Sequence, residues 1–397
     1  MNIDEMKMDF KSPAKGGLVI TGGHEPGDMN YFLKVVSELS SEVGLNKRTI
    51  TFVGDAETGV ITGIRPEGGE AKADVPEIDW ATIQNHLAVL GTHKVNQLQR
   101  DGFAAFSAGK VTIPTVVHMN FPAQGGDLHM KGAHAEGGSI YVFKIATGFP
   151  NNKDKGISTH QGLMIAFDAK TGDPIMVLKD QGNLTDLRTA ISGRNAAEIL
   201  MAPKELTGIG MLGTGVQARQ QVEQLESLYP NCRDLTVWGR TTANTEKYAN
   251  DMRKRGWSVT IVDNPRAVAD AANLIITTTP TESALLDAND ITNPNTLIVA
   301  IGADMPGKVE LTPTLLKKAS NVVIDSIIQG KHHGNAADAI KTGVISEDDL
   351  QEFGDLVTNG LRNPELAKSL RIFLSSGIGV QDLQIVEAVI KGSMKKT

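Results

Sequence analysis

A chain of 397 residues with 40% hydrophobic and 21% charged residues has the make-up of an ordinary soluble protein, long enough for two domains with sizeable cores. Its formal charge of −7 argues against binding driven by nucleic-acid phosphates, while a local basic pocket for an acidic small molecule stays compatible with it. The single cysteine, Cys232, excludes an intramolecular disulfide and a cysteine-rich zinc site and fits a reducing cytoplasm.

The opening segment, MNIDEMKMDFKSPAKGG, is polar and has no apolar run of signal-peptide length. No stretch reaches the ~18–20 apolar residues that span a bilayer. A cytoplasmic protein with neither membrane nor nucleic acid as partner is expected. Residues 1–120 mix amphipathic pieces with turn signals such as PEGGEAKADVPE (66–77) and give no firm assignment. Residues 121–139, rich in Gly and His, predict an extended loop or a hairpin. Strands follow at 140–146 (IYVFKIA), 162–168 (GLMIAFD) and 175–180 (IMVLKD), and their hairpin links suggest an antiparallel or mixed sheet.

From 185 the period changes to that of a helix, with Thr185 as N-cap and Arg194–Glu198 as an (i, i+4) pair on the solvent side. Beyond Pro203 strands and helices alternate, which predicts a parallel doubly wound sheet. The final LRIFLSSGIGVQDLQIVEAVIKG predicts a strand, a glycine turn and an amphipathic helix, which is expected to return to the first domain.

TGIGMLGTGVQARQQVEQL (207–225) is strand, glycine loop, then helix. Gly213, Thr214, Gly215, Val216, Gln217 and Ala218 spell the G-x-G-x-x-A form of the dinucleotide fingerprint. Gly213 serves the tight turn and Gly215 the close approach of a pyrophosphate. The helix N-terminus then offers free N–H groups to the phosphates. At the end of the next strand, DLTVWGRTT places Arg240 and Thr241 where many such chains have a ribose-binding carboxylate. A guanidinium suits a 2′-phosphate, so NADP(H) is favoured. A surface arginine lying over adenine would leave NAD(H) open.

Three cations and one carboxylate stand out. Lys144 sits in a strand expected to be buried on both faces, so it needs an anionic partner, either a protein carboxylate or a substrate one. Arg188 lies in the first turn of its helix, at the positive end of the dipole, a place that suits it only if it faces an anion. Lys131 in the Gly/His segment is a third candidate. Asp304 ends an apolar strand in TLIVAIGADMPGKVEL, where ligands of open α/β sheets gather. It reads either as a proton donor and acceptor or as a turn-capping aspartate. The histidines show no metal-ligand spacing. His129 and His134 are five apart, and the adjacent His332 and His333 lack a third ligand, so no metal is expected.

FKIATGFPNN, NLTDLRTAISG, LGTGVQAR, GADMPGKVEL and SSGIGVQDL occur in the order found in the ornithine cyclodeaminase/μ-crystallin family, which the chain resembles over roughly residues 110–390. The resemblance implies a Rossmann doubly wound domain (201–375) inserted into a mixed α+β substrate-binding and dimerisation domain (1–200 plus 376–397), and a homodimer. It matches Lys144 and Arg188 to the cations that hold a substrate carboxylate, and Asp304 to the catalytic carboxylate. Thr159, Gly213, Gly215, Val216, Gln217, Thr278, Lys308 and Ser376 match dinucleotide contacts, with Arg188 beside them. The arginine that ornithine cyclodeaminase has after its I-P segment is absent from TIPTVVHM, and Lys131 is the candidate to replace it.

The leading expectation is an NAD(P)(H)-dependent oxidoreductase that moves hydride between a nicotinamide and the α-carbon of an imino or amino acid. The alternatives are redox-neutral ammonia elimination of the cyclodeaminase type, and a non-catalytic dinucleotide-binding protein.

Overall fold

The computed structural model describes residues 50–55, 60–66 and 75–394; most of the expected N-terminal domain segment before residue 75 lies outside them. Met1–Asp74 and Val75–Thr397 are two compact units, and the boundary falls inside the turn-rich segment PEGGEAKADVPE (66–77). In the first unit β1 (Ile50–Asp55) and β2 (Val60–Pro66) pair antiparallel, with an irregularity between Val53 and Gly54.

The second unit opens with β3 (Glu77–Asp79), α1 (Trp80–Leu90) and α2 (Thr92–Ser107). β4 (Val111–Thr112), β5 (Val117–Phe121), β6 (Gly126–Ala135), β7 (Ile140–Gly148), β8 (His160–Asp168) and β9 (Pro174–Lys179) follow. They form a mixed sheet in the order β3-β9-β8-β7-β6-β4, with β5 on β6. Only β3–β9 is parallel. The 121–139 segment is therefore a hairpin, and His129 and His134 lie on β6 with opposite facings, since side chains alternate along a strand.

α3 (Asn183–Leu200) begins two residues before the expected N-cap. Gly182 takes the cap position in a left-handed conformation, and Asp180 accepts from the Leu184 amide at 2.8 Å in place of Thr185. Arg194 and Glu198 do pair, at 2.7 Å, with Glu198 exposed to solvent as expected and Arg194 largely covered. Arg194 is only 11% exposed, and Arg100 of α2 joins the same carboxylate at 2.5 Å.

The chain then alternates through β10 (Ile209–Leu212), α4 (Val216–Leu225), β11 (Asp234–Trp238), α5 (Thr242–Lys254), β12 (Ser258–Ile261), α6 (Pro265–Ala271) and β13 (Leu274–Thr277). It continues with β14 (Leu297–Ala300), α7 (Pro313–Lys318), β15 (Asn321–Ile324), α8 (Ile327–Gly330), α9 (Gly334–Lys341), β16 (Leu350–Glu352), α10 (Phe353–Asn359), β17 (Arg371–Leu374) and α11 (Gly379–Met394). Four-residue strands such as IGML, LIIT and LIVA are buried throughout, as a sheet covered on both faces requires.

All pairings in this sheet are parallel, in the order β12-β11-β10-β13-β14-β17-β15-β16. The strand order reverses between β10 and β13, the switch point where such sheets open a ligand crevice. On one face α2, α3, α4 and α10 share an apolar core with the strands, and Phe353 wedges between Phe103 and Phe373 at centroid distances of 5.0 and 5.1 Å. A second core covers the other face. A third joins the mixed sheet to α1, α2 and α11, so α11 runs from the end of the parallel sheet onto the mixed one.

Candidate active site

The glycine loop sits at the switch point. Gly213 has φ +124°, and its backbone is so close to β13 that a Cβ would come within 2.4 Å of the Thr278 hydroxyl. Its amide donates to Trp238 O at 3.0 Å and the Thr278 amide to Leu212 O at 2.9 Å, which ties three strand ends together. Gly215 borders open space and caps α4 without any side-chain hydrogen bond, so the first amides of that helix are free for an anion. Arg219 supports the loop from below, donating to Thr214 O at 2.6 Å and Gly215 O at 3.1 Å while paired with Asp251. Gln217 turns away to Asp186 of α3. Arg240 is exposed with an uncommitted guanidinium, and Thr241 caps α5 without using its hydroxyl. These residues fit a dinucleotide.

The cations converge on the seam between the two sheets. Register sets Lys131 of β6 directly opposite Lys144 of β7, on one face of the mixed sheet. Lys144, 3% exposed, lies 3.2 Å from Asp382 of α11, and Arg188 Nε lies 3.1 Å from the other oxygen of the same carboxylate. These are close charge contacts, since neither oxygen lines up with a hydrogen-bond donor. Arg188 also donates to Gln381 Oε1 at 2.8 Å, and Lys131 to Gly377 O at 2.7 Å. Burial pulls the Lys144 ammonium down to about 7, with Asp382 opposing the shift and Arg188 and Lys131 adding to it. Burial and Arg188 likewise lower Lys131. Two of the three cations thus touch one carboxylate, while Lys131 feels Asp382, Asp304 and Asp325 from a distance.

The turn after β17 is shaped by Asp325, fully buried at the end of β15. It accepts from the amides of Ser376 and Gly377 at 2.7 and 2.6 Å and from the Ser376 hydroxyl at 3.0 Å. Gln329 adds donors to Ser376 and Gly377. Gly377 has φ +75°, and a Cβ there would lie 2.6 Å from Arg188 Nη1, so the turn must be glycine for the guanidinium to fit. Asp304, after β14, is half-exposed and paired with Lys308 at 2.7 Å. Thr159 sits before β8, its hydroxyl 3.1 Å from His160 Nδ1.

The structure therefore brings Lys131, Lys144 and Arg188 together and gathers Gly213, Thr278, Asp304 and Ser376 at strand ends of the parallel sheet. Lys308 faces Asp304 in this arrangement. Of the two partners foreseen for Lys144, the protein carboxylate is present. Asp382 itself was hidden because an aspartate in a first helical turn reads as a dipole partner. Asp325 ends NVVID as Asp304 ends its own strand, and the same rule would have found it.

The sequence profile described as the ornithine cyclodeaminase/mu-crystallin family matches residues 81–396. The chain belongs to this family. An alanine dehydrogenase of Archaeoglobus fulgidus is 32% identical over 297 residues, 75% of this chain and 89% of the relative. An iminosuccinate reductase of Paracoccus denitrificans is 29% identical, covering 66% and 79%. An archaeal alanine dehydrogenase dimer with bound NAD superposes with a TM-score of 0.71 at 27% identity, over 81% of this chain and 97% of that one. The family accounts for the parallel sheet with its second sheet, and relatives with bound NAD support a nicotinamide cofactor here.

Within this family member the Lys144 ammonium makes a testable demand. Below about 7 it is charged and attracts a carboxylate; above, it is neutral and does not. The KM of a carboxylate substrate is expected to rise as pH passes upward through that value. Lys144→Met should raise KM at low pH and flatten the dependence. A KM of the unmodified chain that stays constant across this range would remove Lys144 as an anchor.

Proposed function

We propose that the chain is an oxidoreductase that interconverts an imino acid and an amino acid, with hydride exchanged at the α-carbon. The observation that carries this reading is the convergence of Lys131, Lys144 and Arg188, two of them on Asp382, at the turn that follows β17. A bound nicotinamide supplies or accepts the hydride. Lys144 and Arg188, with Lys131, hold the substrate carboxylate and so fix where the α-carbon lies. Asp304, half-exposed and able to exchange with water, gives a proton to the substrate nitrogen or takes one from it. Gly213, Thr214, Gly215 and Val216 would hold the pyrophosphate, with Thr159, Gln217, Thr278, Lys308 and Ser376 around the rest.

Redox-neutral cyclodeamination is the second reading, supported by the family's other named activity. A screen of imino and amino acids separates the two. Net change in the reduced-nicotinamide absorbance marks the reductase, and ammonia release without such change marks the cyclodeaminase. With the substrate so found, Asp304→Asn is expected to lower kcat by about 10²–10⁴-fold, the usual worth of a general acid or base, and to leave cofactor binding nearly intact. Near-normal turnover would return Asp304 to a turn-capping role.

The unpaired Arg240 beside Thr241 supports NADP(H) over NAD(H). Arg240→Ala should weaken NADP(H) by roughly 1.5–3 kcal/mol, the scale of a charge-assisted hydrogen bond, with little effect on NAD(H). Equal affinity for the two cofactors in the unmodified protein refutes the preference. A relative described as a dimer supports a homodimer here as well. Sedimentation at micromolar concentration is expected to show two chains, and a monomer alone would contradict it.

A further inference from the structure

One cluster of ligating side chains takes no part in the chemistry above. His118 lies on β5, and Asp127 and His129 lie on β6. Register pairs His118 with His129, and Asp127, two residues from His129, shares their face. Asp127 Oδ2 is 3.1 Å from His129 Nε2 and 3.8 Å from His118 Nε2. The two imidazoles stack with centroids 4.4 Å apart and planes 16° from parallel. One donor atom from each residue lies within 4.8 Å of the other two, the one such group among the described residues.

We propose that His118, Asp127 and His129 bind a divalent first-row metal ion of the Zn²⁺ type, which cross-links β5 to β6. Bonds of about 2.0–2.2 Å in a tetrahedron hold neighbouring ligand atoms about 3.3–3.6 Å apart, and the two carboxylate–imidazole distances straddle that range. Stacked rings cannot both direct in-plane lone pairs at one ion, so metal binding requires the exposed His118 ring at the sheet edge to rotate out of the stack. Two imidazoles and one carboxylate suit Zn²⁺ and leave at least one position for water.

The site has a structural use. β5 pairs with β6 and with no other strand among the described residues, so one ladder holds this edge. The next residue on the same face of β6 is Lys131, and a cross-link at His129 fixes the register that sets Lys131 opposite Lys144. His134, on the other face of the same strand, lies outside the cluster and provides a control.

The test uses the untagged full chain, stripped with chelator and titrated with Zn²⁺ alone. One equivalent is expected to be taken up, with a rise in the midpoint of thermal unfolding and, for Co²⁺ in its place, visible absorption of a low-coordinate site. His118→Gln, Asp127→Asn and His129→Gln should each weaken Zn²⁺ by more than about a hundredfold, beyond the 10–100-fold lost with an outer-shell partner. His134→Gln should bind as the unmodified chain does. Each variant is checked for unchanged far-ultraviolet dichroism, so loss of binding is read on folded protein. Uptake no greater than that of the triple variant overturns the proposal. So does uptake that survives in any of the three single variants.

Discussion

The Asp382 carboxylate, held between Lys144 and Arg188 at 1% exposure, is the contact on which the site rests. Taking a lysine and an arginine out of water costs several kcal/mol per ion unless an anion compensates. Here the anion comes from α11, the cations from β7 and α3, and the three elements belong to one core. The charge contact therefore fixes helix, strand and helix relative to one another. Lys131, without a carboxylate in contact, is held instead by the carbonyl of Gly377.

A second layer orients this group. Asp325 has no cation in contact and is held by four donors from Ser375, Ser376 and Gly377. Burial raises its affinity for a proton and those hydrogen bonds oppose the rise. The turn it builds presents Gly377 O to Lys131 and leaves room for the Arg188 guanidinium. Glu310 does the same for the neighbouring strand ends, accepting from Thr277, Thr279 and Gly302. The C-terminal edge of the parallel sheet is thus shaped by buried carboxylates hydrogen-bonded to its own strand ends.

Much of this was legible in the chain. The glycine loop announces itself because only a few residues can make that turn, and the alternation of short apolar strands with helices dictates the sheet. Lys144 and Arg188 were visible as charges in places that penalise charge. Asp382 was not, because its partners lie 238 and 194 residues away (382 less 144 and 188) and a first-turn aspartate has an innocent local explanation. The His118–Asp127–His129 group escaped for a related reason. Ligand spacing along the chain cannot reveal a pairing made across a hairpin, and His129 beside His134 drew attention to the wrong neighbour. The start of α3 was displaced because Asp180, two residues ahead of the Gly182 cap, takes the Leu184 amide before Thr185 can cap the helix.

The position of β17 bears on how the molecule assembles. It comes after β15 and β16 in sequence, yet it lies between β14 and β15 in the sheet. Until it enters, β14 and β15 each present an unsatisfied edge, and the parallel sheet is in two pieces. Insertion of a strand so far from its partners in sequence is an entropically slow step, the kind that sets folding rates in parallel sheets. The turn that carries Ser376 and Gly377 follows β17 directly, and α11 with Asp382 follows the turn. The strand that closes the sheet therefore leads directly into the turn and helix that supply Ser376, Gly377 and Asp382 to the charged cluster.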